Sequence, residues 1–163
     1  MKRILVLRHG KAVSVGVGHD FNRVLKNRGI DDSNRIGHFI NRLDFKIDRI
    51  ITSGAVRAKQ TADIVYHNLD KKVPITYDDR IYHEGISSVM DILRQLESNC
   101  DNVLIVGHNP TLEQIIAKWV SNDQLDLKLI TCGLALVTIK AETWSDVQKN
   151  HGILEWMIKP KIL

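Results

Sequence analysis

Apolar residues along the chain follow two alternating rhythms. Short runs rich in Val, Ile and Leu predict buried strands at Arg3–Leu7, Asp48–Thr52, Val103–Val106, Leu134–Ile139 and Ile153–Ile158, with a weaker one at Ile75–Tyr77. Between them the spacing changes to i, i+3, i+4, i+7, which gathers apolar side chains on one helical face. Ile36, Phe39, Ile40 and Leu43 make one such set, and Leu112, Ile115, Ile116 and Trp119 make another. Ala55, Ala58, Ala62 and Val65 give a small-residue version, and Val89, Ile92, Leu93 and Leu96 precede Cys100. Strand and helix alternate until the last two strands, which a loop-like stretch from Ala141 to Gly152 separates. This order predicts an α/β fold: a three-layer α/β/α sandwich, with a mostly parallel central sheet and helices on both faces. The near-continuous apolar strands fit burial on both sides.

Composition narrows this picture. The 163 residues contain no repeat or linker, so one domain over 1–163 is expected. With 44% hydrophobic and 26% charged residues, the chain reads as globular. Its net charge of +4 is mild, and its basic residues form no run interleaved with aromatics. No nucleic-acid partner is therefore expected, whereas an anionic substrate suits the charge. Arg8 cuts short the apolar run Ile4–Leu7, so no signal peptide is expected. No stretch of about 18 apolar residues predicts a membrane partner. Cys100 and Cys132 are too few for a disulfide framework and lack metal-type spacing. The expectation is a cytoplasmic monomer with reduced thiols.

Folds of this class bind ligands at the carboxyl ends of their strands. Three strand ends carry polar endings here: Arg8-His9-Gly10, then Thr52-Ser53-Gly54 running into a helix with Arg57 in its first turn, then Gly107-His108-Asn109-Pro110. Were these strands parallel neighbours, two arginines and two histidines would meet on one rim, beside helix N-termini that favour anions. Guanidinium groups bind phosphate oxygens in pairs and stay charged. Neutral imidazole is a nucleophile near pH 7. The set therefore suggests phosphoryl transfer. His9 or His108 could be the nucleophile and the other a donor to a phosphate oxygen. The Gly10 carbonyl would hold a ring nitrogen of His9, and Gly10 would let the backbone pass close to the ligand. Gly10 and Asn109 join Arg8, Arg57 and His108 as expected substrate contacts.

The segments LRHGKA, TSGAVRAKQTA and VGHNP, with DFNRVLKNRG between the first two, resemble in order the signatures of the histidine phosphatase superfamily. That superfamily also holds the cofactor-dependent phosphoglycerate mutases. The resemblance implies that His9 is the residue phosphorylated and that Arg8, Arg57 and His108 complete the phosphate pocket. It implies no metal and no organic cofactor. Lys11-Ala12 at the motif's end, and the short connection from Arg80 to a helix beginning near Ser87, look like the SixA-type phosphohistidine phosphatases, whose sites are open. An open rim would admit a phosphorylated protein, such as a His-containing phosphotransfer protein, where a small phosphate ester normally needs more walls.

The family's general acid is usually a glutamate just after a strand. In RIYHEG the ungapped match falls on His83, one residue before Glu84, and Asp20 is a third candidate. A site without a dedicated acid would favour phosphohistidine over phosphoserine, because imidazole leaves more readily than an alkoxide. Other readings remain open: a small-metabolite phosphatase or mutase, a metal hydrolase built on His9, His108 and Glu84, and a non-catalytic phosphoprotein-binding module. His19, His38, His67 and His151 are expected to be solvated or satisfied. Lys11 and Lys59 would tune the rim's charge, Ser53 would cap its helix, and Trp119, Trp144 and Trp156 would pack.

Overall fold

Lys2–Arg8 forms strand β1, and its alternating side chains divide between two cores. Ile4 and Val6 enter one, Leu5 and Leu7 the other, all with no exposed surface. The middle of a strand buried on both faces is apolar on both, and each such side chain contributes ~1.5–3 kcal/mol. The computed structural model describes residues 1–14, 19–43, 46–121, 125–148 and 151–163. The other strands are β2 (Arg49–Thr52), β3 (Ile75–Tyr77), β4 (Asn102–Gly107), β5 (Leu134–Ile139) and β6 (Gly152–Ile158). Together they form one sheet in the order β3-β2-β4-β1-β5-β6. Helices α1 (Asn27–Arg42) and α2 (Val56–Asn68) cover one face. Helices α4 (Ile86–Arg94) and α5 (Thr111–Val120) cover the other, and the single turn α3 (Arg80–His83) precedes α4. This is the expected three-layer sandwich.

The sheet is mostly parallel, with β5 reversed: it pairs antiparallel with β1 and with β6. The turn before β5 explains the reversal. Cys132 donates its N–H to the carbonyls of Arg8 and His9, and Arg8 N–H donates to Gly133. The chain therefore enters β5 at the end where β1 stops. Residues 149–150, within the stretch read as loop-like from Ala141 to Gly152, lie outside the described residues. That stretch also holds a 3-10 turn at Trp144–Asp146, closed by a capping box between Thr143 and Asp146. Trp119 and Trp144 are buried, and Trp156 packs edge-on to Phe39.

Two features hold the polar end of the sheet in place. The order β2-β4-β1 makes the three strands with polar endings adjacent and parallel, so Ser53, His108 and His9 emerge side by side. The first turn of α1 then packs directly on the loop after His9. A Cβ on Gly10 would stand 2.8 Å from the Gly29 carbonyl, and one on Gly29 would overlap the Lys11 backbone. Only two glycines allow this approach. At the opposite end, the buried Lys2 ammonium donates to the carbonyls of Ser98 and Cys100 and to Asp101, which satisfies all three of its protons. Among the described residues no helix is long and apolar enough to cross a membrane.

Candidate active site

His9 leaves β1 with its N–H bonded to the Gly107 carbonyl of β4. Its Nδ1 lies 2.8 Å from the Gly10 carbonyl and its Nε2 lies 3.2 Å from Arg57 Nε. A guanidinium has no lone pair, so Arg57 must donate and His9 Nε2 must accept. This assigns the tautomer: Nδ1 carries the proton and gives it to Gly10, and Nε2 presents its lone pair. Burial holds the His9 pKa down to about 4, with Arg57, Arg8 and Arg23 acting in the same direction and the Gly10 bond opposing them. Neutral imidazole is the form a nucleophile needs.

Arg57 is held from its far side. Its Nη1 donates to the Asp20 carbonyl at 2.7 Å and its Nη2 to the Asp20 carboxylate at 2.8 Å. The Tyr82 hydroxyl donates to the same carboxylate oxygen at 2.6 Å, and Arg23 pairs with the other oxygen at 2.9 Å. The Tyr82 hydroxyl, then Arg57 and Arg23, hold the Asp20 carboxyl below its usual range against partial burial. The Tyr82 ring lies 5.6 Å from the Arg57 guanidinium and edge-on to both His108 and Phe21.

His108 ends β4, its ring centre 5.0 Å from that of His9. Its Nε2 lies 2.9 Å from Ser53 Oγ, which also accepts the Ala55 N–H at the start of α2. Burial, then His9 and Arg57, lower the His108 pKa to about 3. Arg8 donates Nη1 to the Leu129 carbonyl at 3.0 Å. Among the described residues, three buried polar atoms of this cluster have no hydrogen-bond partner: Arg8 Nε, His108 Nδ1 and Asn109 Oδ1. A buried cationic N–H without a partner is costly, and an anion satisfies it. Among the described residues, no group of three or more His, Cys, Asp or Glu side chains could hold a metal ion.

The fold thus brings His9, Arg57 and His108 together, with Arg8 adjacent, and adds Asp20 from the sequence-based candidates. Two expected contacts are redirected. The small size of Gly10 serves its approach to Gly29, and its N–H is taken by Thr61 Oγ1 at 2.9 Å, so its backbone donor is not offered to a ligand. Asn109 commits both amide hydrogens to the Glu113 carboxylate and the Leu129 carbonyl. Its side-chain amide therefore has no hydrogen left for a phosphate. Glu84 is exposed at the end of α3 and makes no side-chain hydrogen bond among the described residues; its charge acts on Arg80. His83 is exposed and stacks on Phe21. Sequence reading missed Tyr82 and Thr61, whose partners lie far away in the chain. It treated Ser53 as a helix cap, whereas Ser53 also orients His108. His19, His38, His67 and His151 are exposed, as expected.

The depressed histidines make a measurable pH dependence. NMR titration of the free protein is expected to place the His9 midpoint about 4, below its ordinary 6.5. Protonation there removes the Nε2 lone pair, so activity is expected to fall as pH drops through about 4. Stability follows the same direction. Between about pH 6.5 and 4 the unfolded histidines bind protons that the folded ones refuse, so stability is lost as pH falls through that window. A His9 midpoint at 6.5 would contradict the buried, cation-flanked ring.

A family model described as the histidine phosphatase superfamily (branch 1) matches residues 4–83, from β1 through α3. An uncharacterized protein of Mycobacterium tuberculosis is 27% identical over 156 residues, spanning 91% of this chain and 96% of that one. The mitochondrial serine/threonine-protein phosphatase Pgam5 of Drosophila virilis is 35% identical over 69 residues, which cover 42% of this chain and 24% of Pgam5. In fold, the chain is similar to the protein histidine phosphatase SixA solved with tungstate, with a TM-score of 0.83, 22% identity and 98% of each chain covered.

Proposed function

This chain belongs to the histidine phosphatase superfamily, and on that premise we propose that it removes phosphoryl groups from phosphohistidine in proteins. The observation that carries the reading is the Arg57 Nε–H donated to His9 Nε2, which leaves a neutral nucleophile among cationic donors. Tungstate, the ligand of the SixA structure, is a tetrahedral oxyanion like phosphate.

The reaction has two steps. As the phosphoryl group enters, the Arg57 Nε–H shifts its hydrogen bond from His9 Nε2 to a phosphoryl oxygen. The freed Nε2 lone pair attacks phosphorus in line, a new N–P bond forms, and the substrate's P–N bond breaks with its electron pair going to the leaving ring. A substrate phosphoimidazole protonated on its other nitrogen leaves as neutral imidazole. Water then attacks the phosphoryl group on His9, the pair of that N–P bond returns to Nε2, and the water's proton passes to phosphate or solvent. Arg8, Arg57 and His108 counter the charge on the equatorial oxygens in both steps.

The acid candidates support this choice of substrate. Asp20 is held ionised by Tyr82, Arg57 and Arg23, while Glu84 is exposed and the exposed His83 ring is stacked on Phe21. A positioned acid contributes about 10²–10⁴-fold, and a substrate whose leaving group departs neutral needs none. The connection between β3 and α4 carries only the single turn α3, which supports access by a folded protein. Cys100 and Cys132 are buried free thiols, which suits the cytoplasm.

Phosphate release should be measured, with chelator present, from a phosphohistidine protein, p-nitrophenyl phosphate and a phosphoglycerate. The expected kcat/KM for phosphohistidine exceeds that for phosphoglycerate by about 10² or more. Preference for the phosphoglycerate would move the protein to the metabolic branch, and loss of activity in chelator would revive the metal hydrolase.

A further inference from the structure

We infer that Glu113, which lies outside the phosphate-contacting set, is a positioning residue for Arg8. The inference rests on the phosphatase reading of the site. Glu113 stands in the first turn of α5, and its Oε1 accepts two hydrogen bonds: from Asn109 Nδ2 at 2.6 Å and from the Leu129 N–H at 2.8 Å. Asn109 Nδ2 also donates to the Leu129 carbonyl at 2.8 Å, and Arg8 Nη1 donates to that same carbonyl at 3.0 Å. The Leu129 backbone is thus clasped on both sides, its N–H by Glu113 and its C=O by Asn109 and Arg8. The buried Leu129 side chain anchors the segment in the core under α5.

The amide of Asn109 has only one consistent orientation. Both atoms facing its Nδ2 are acceptors, so Nδ2 must be the donor and Oδ1 must face away. The consequence reaches Arg8. With Nη1 tethered to Leu129, the guanidinium is held on that side, and its buried Nε–H is among the donors left for a ligand oxygen. Arginine binds a phosphoryl group through the orientation of its fork as well as its charge. A flexible stem alone would not hold that orientation, and ordering it beforehand removes the cost at binding. The Glu113 carboxylate also acts on Arg8 electrostatically, against the burial that lowers the guanidinium pKa.

The test is a double-mutant cycle. Glu113→Ala, Glu113→Gln, Arg8→Ala and the Arg8→Ala/Glu113→Ala double variant are compared with wild type. The readouts are p-nitrophenyl phosphate kinetics and calorimetric affinity for inorganic phosphate, with thermal melting as the check on folding. Glu113→Ala is expected to weaken phosphate binding and lower kcat/KM by about 10–100-fold. In the Arg8→Ala background the same change should cost less than about 3-fold, because its target is gone. Glu113→Gln keeps an oxygen that can accept both bonds and loses only the charge, so it should recover most of the wild-type phosphate affinity. Independent, multiplying effects of the two sites would overturn the inference. So would a Glu113→Gln protein that folds yet binds phosphate as poorly as Glu113→Ala. Wild type that binds phosphate but hydrolyses no phosphorylated substrate would overturn the phosphatase reading, while the cycle on phosphate affinity would still judge Glu113. Wild type that binds no phosphate would overturn both.

Discussion

His9→Ala is expected to lower turnover by on the order of 10⁴ to 10⁶, the range seen when a catalytic nucleophile or its essential base is removed. The variant keeps Arg8, Arg57 and His108, so it should still bind phosphate and retain a small activity from charge stabilisation alone. What it lacks is the Nε2 lone pair and therefore the covalent intermediate. Rapid-quench labelling with a radioactive phosphoryl donor should trap an acid-labile phosphoprotein in wild type and none in the variant. The buried ring makes two hydrogen bonds, to Gly10 and with Arg57, and its removal leaves both partners without it. Melting curves must therefore accompany the kinetics. A folded His9→Ala protein as active as wild type would end the covalent mechanism and leave only direct attack by water.

Arg57→Lys is the second large effect, and it separates charge from geometry. Loss of about 10³-fold in kcat/KM is expected, within the range for removing a transition-state donor or an arginine finger. Lysine keeps one positive charge, but its compact ammonium lacks the planar fork. Arg57 uses Nε for His9 while Nη1 and Nη2 grip Asp20, three directions fixed in one plane. An ammonium at the end of a flexible stem cannot hold both partners in that arrangement. The His9 ring would lose the donor that selects its tautomer, and nitrogen NMR should show the protonated site shared between Nδ1 and Nε2. Wild-type activity in Arg57→Lys would mean that charge alone matters at this position.

Tyr82 shows where sequence reasoning stops. It lies in RIYHEG, beside His83, on which the ungapped family match for the acid falls, and two residues before Glu84. Its hydroxyl reaches Asp20, 62 positions earlier, and helps keep that carboxyl ionised. No local pattern announces such a pair. The clasp around Leu129 is harder still to read, since Arg8 meets it across 121 positions and the acceptor is a main-chain carbonyl. Every residue has a carbonyl, so the sequence carries no mark of the ones that matter. Gly10 illustrates a third case. Its presence after His9 is legible, but the crowding it relieves comes from Gly29 of α1 and the Leu25 side chain.

By itself, the sequence determined the elements and the residues that stand at their ends. The middles of buried strands must be apolar on both faces and helices must be apolar on one face, and both requirements act between near neighbours, so His9, Arg57 and His108 could be placed at element ends from the pattern alone. Only the tertiary structure decided the order β2-β4-β1 that unites those ends, the tautomer of His9, the ionisation of Asp20 and the tether on Arg8. Those properties depend on which groups are desolvated together and which donor faces which acceptor, and residues far apart in the chain meet only after the sheet has formed.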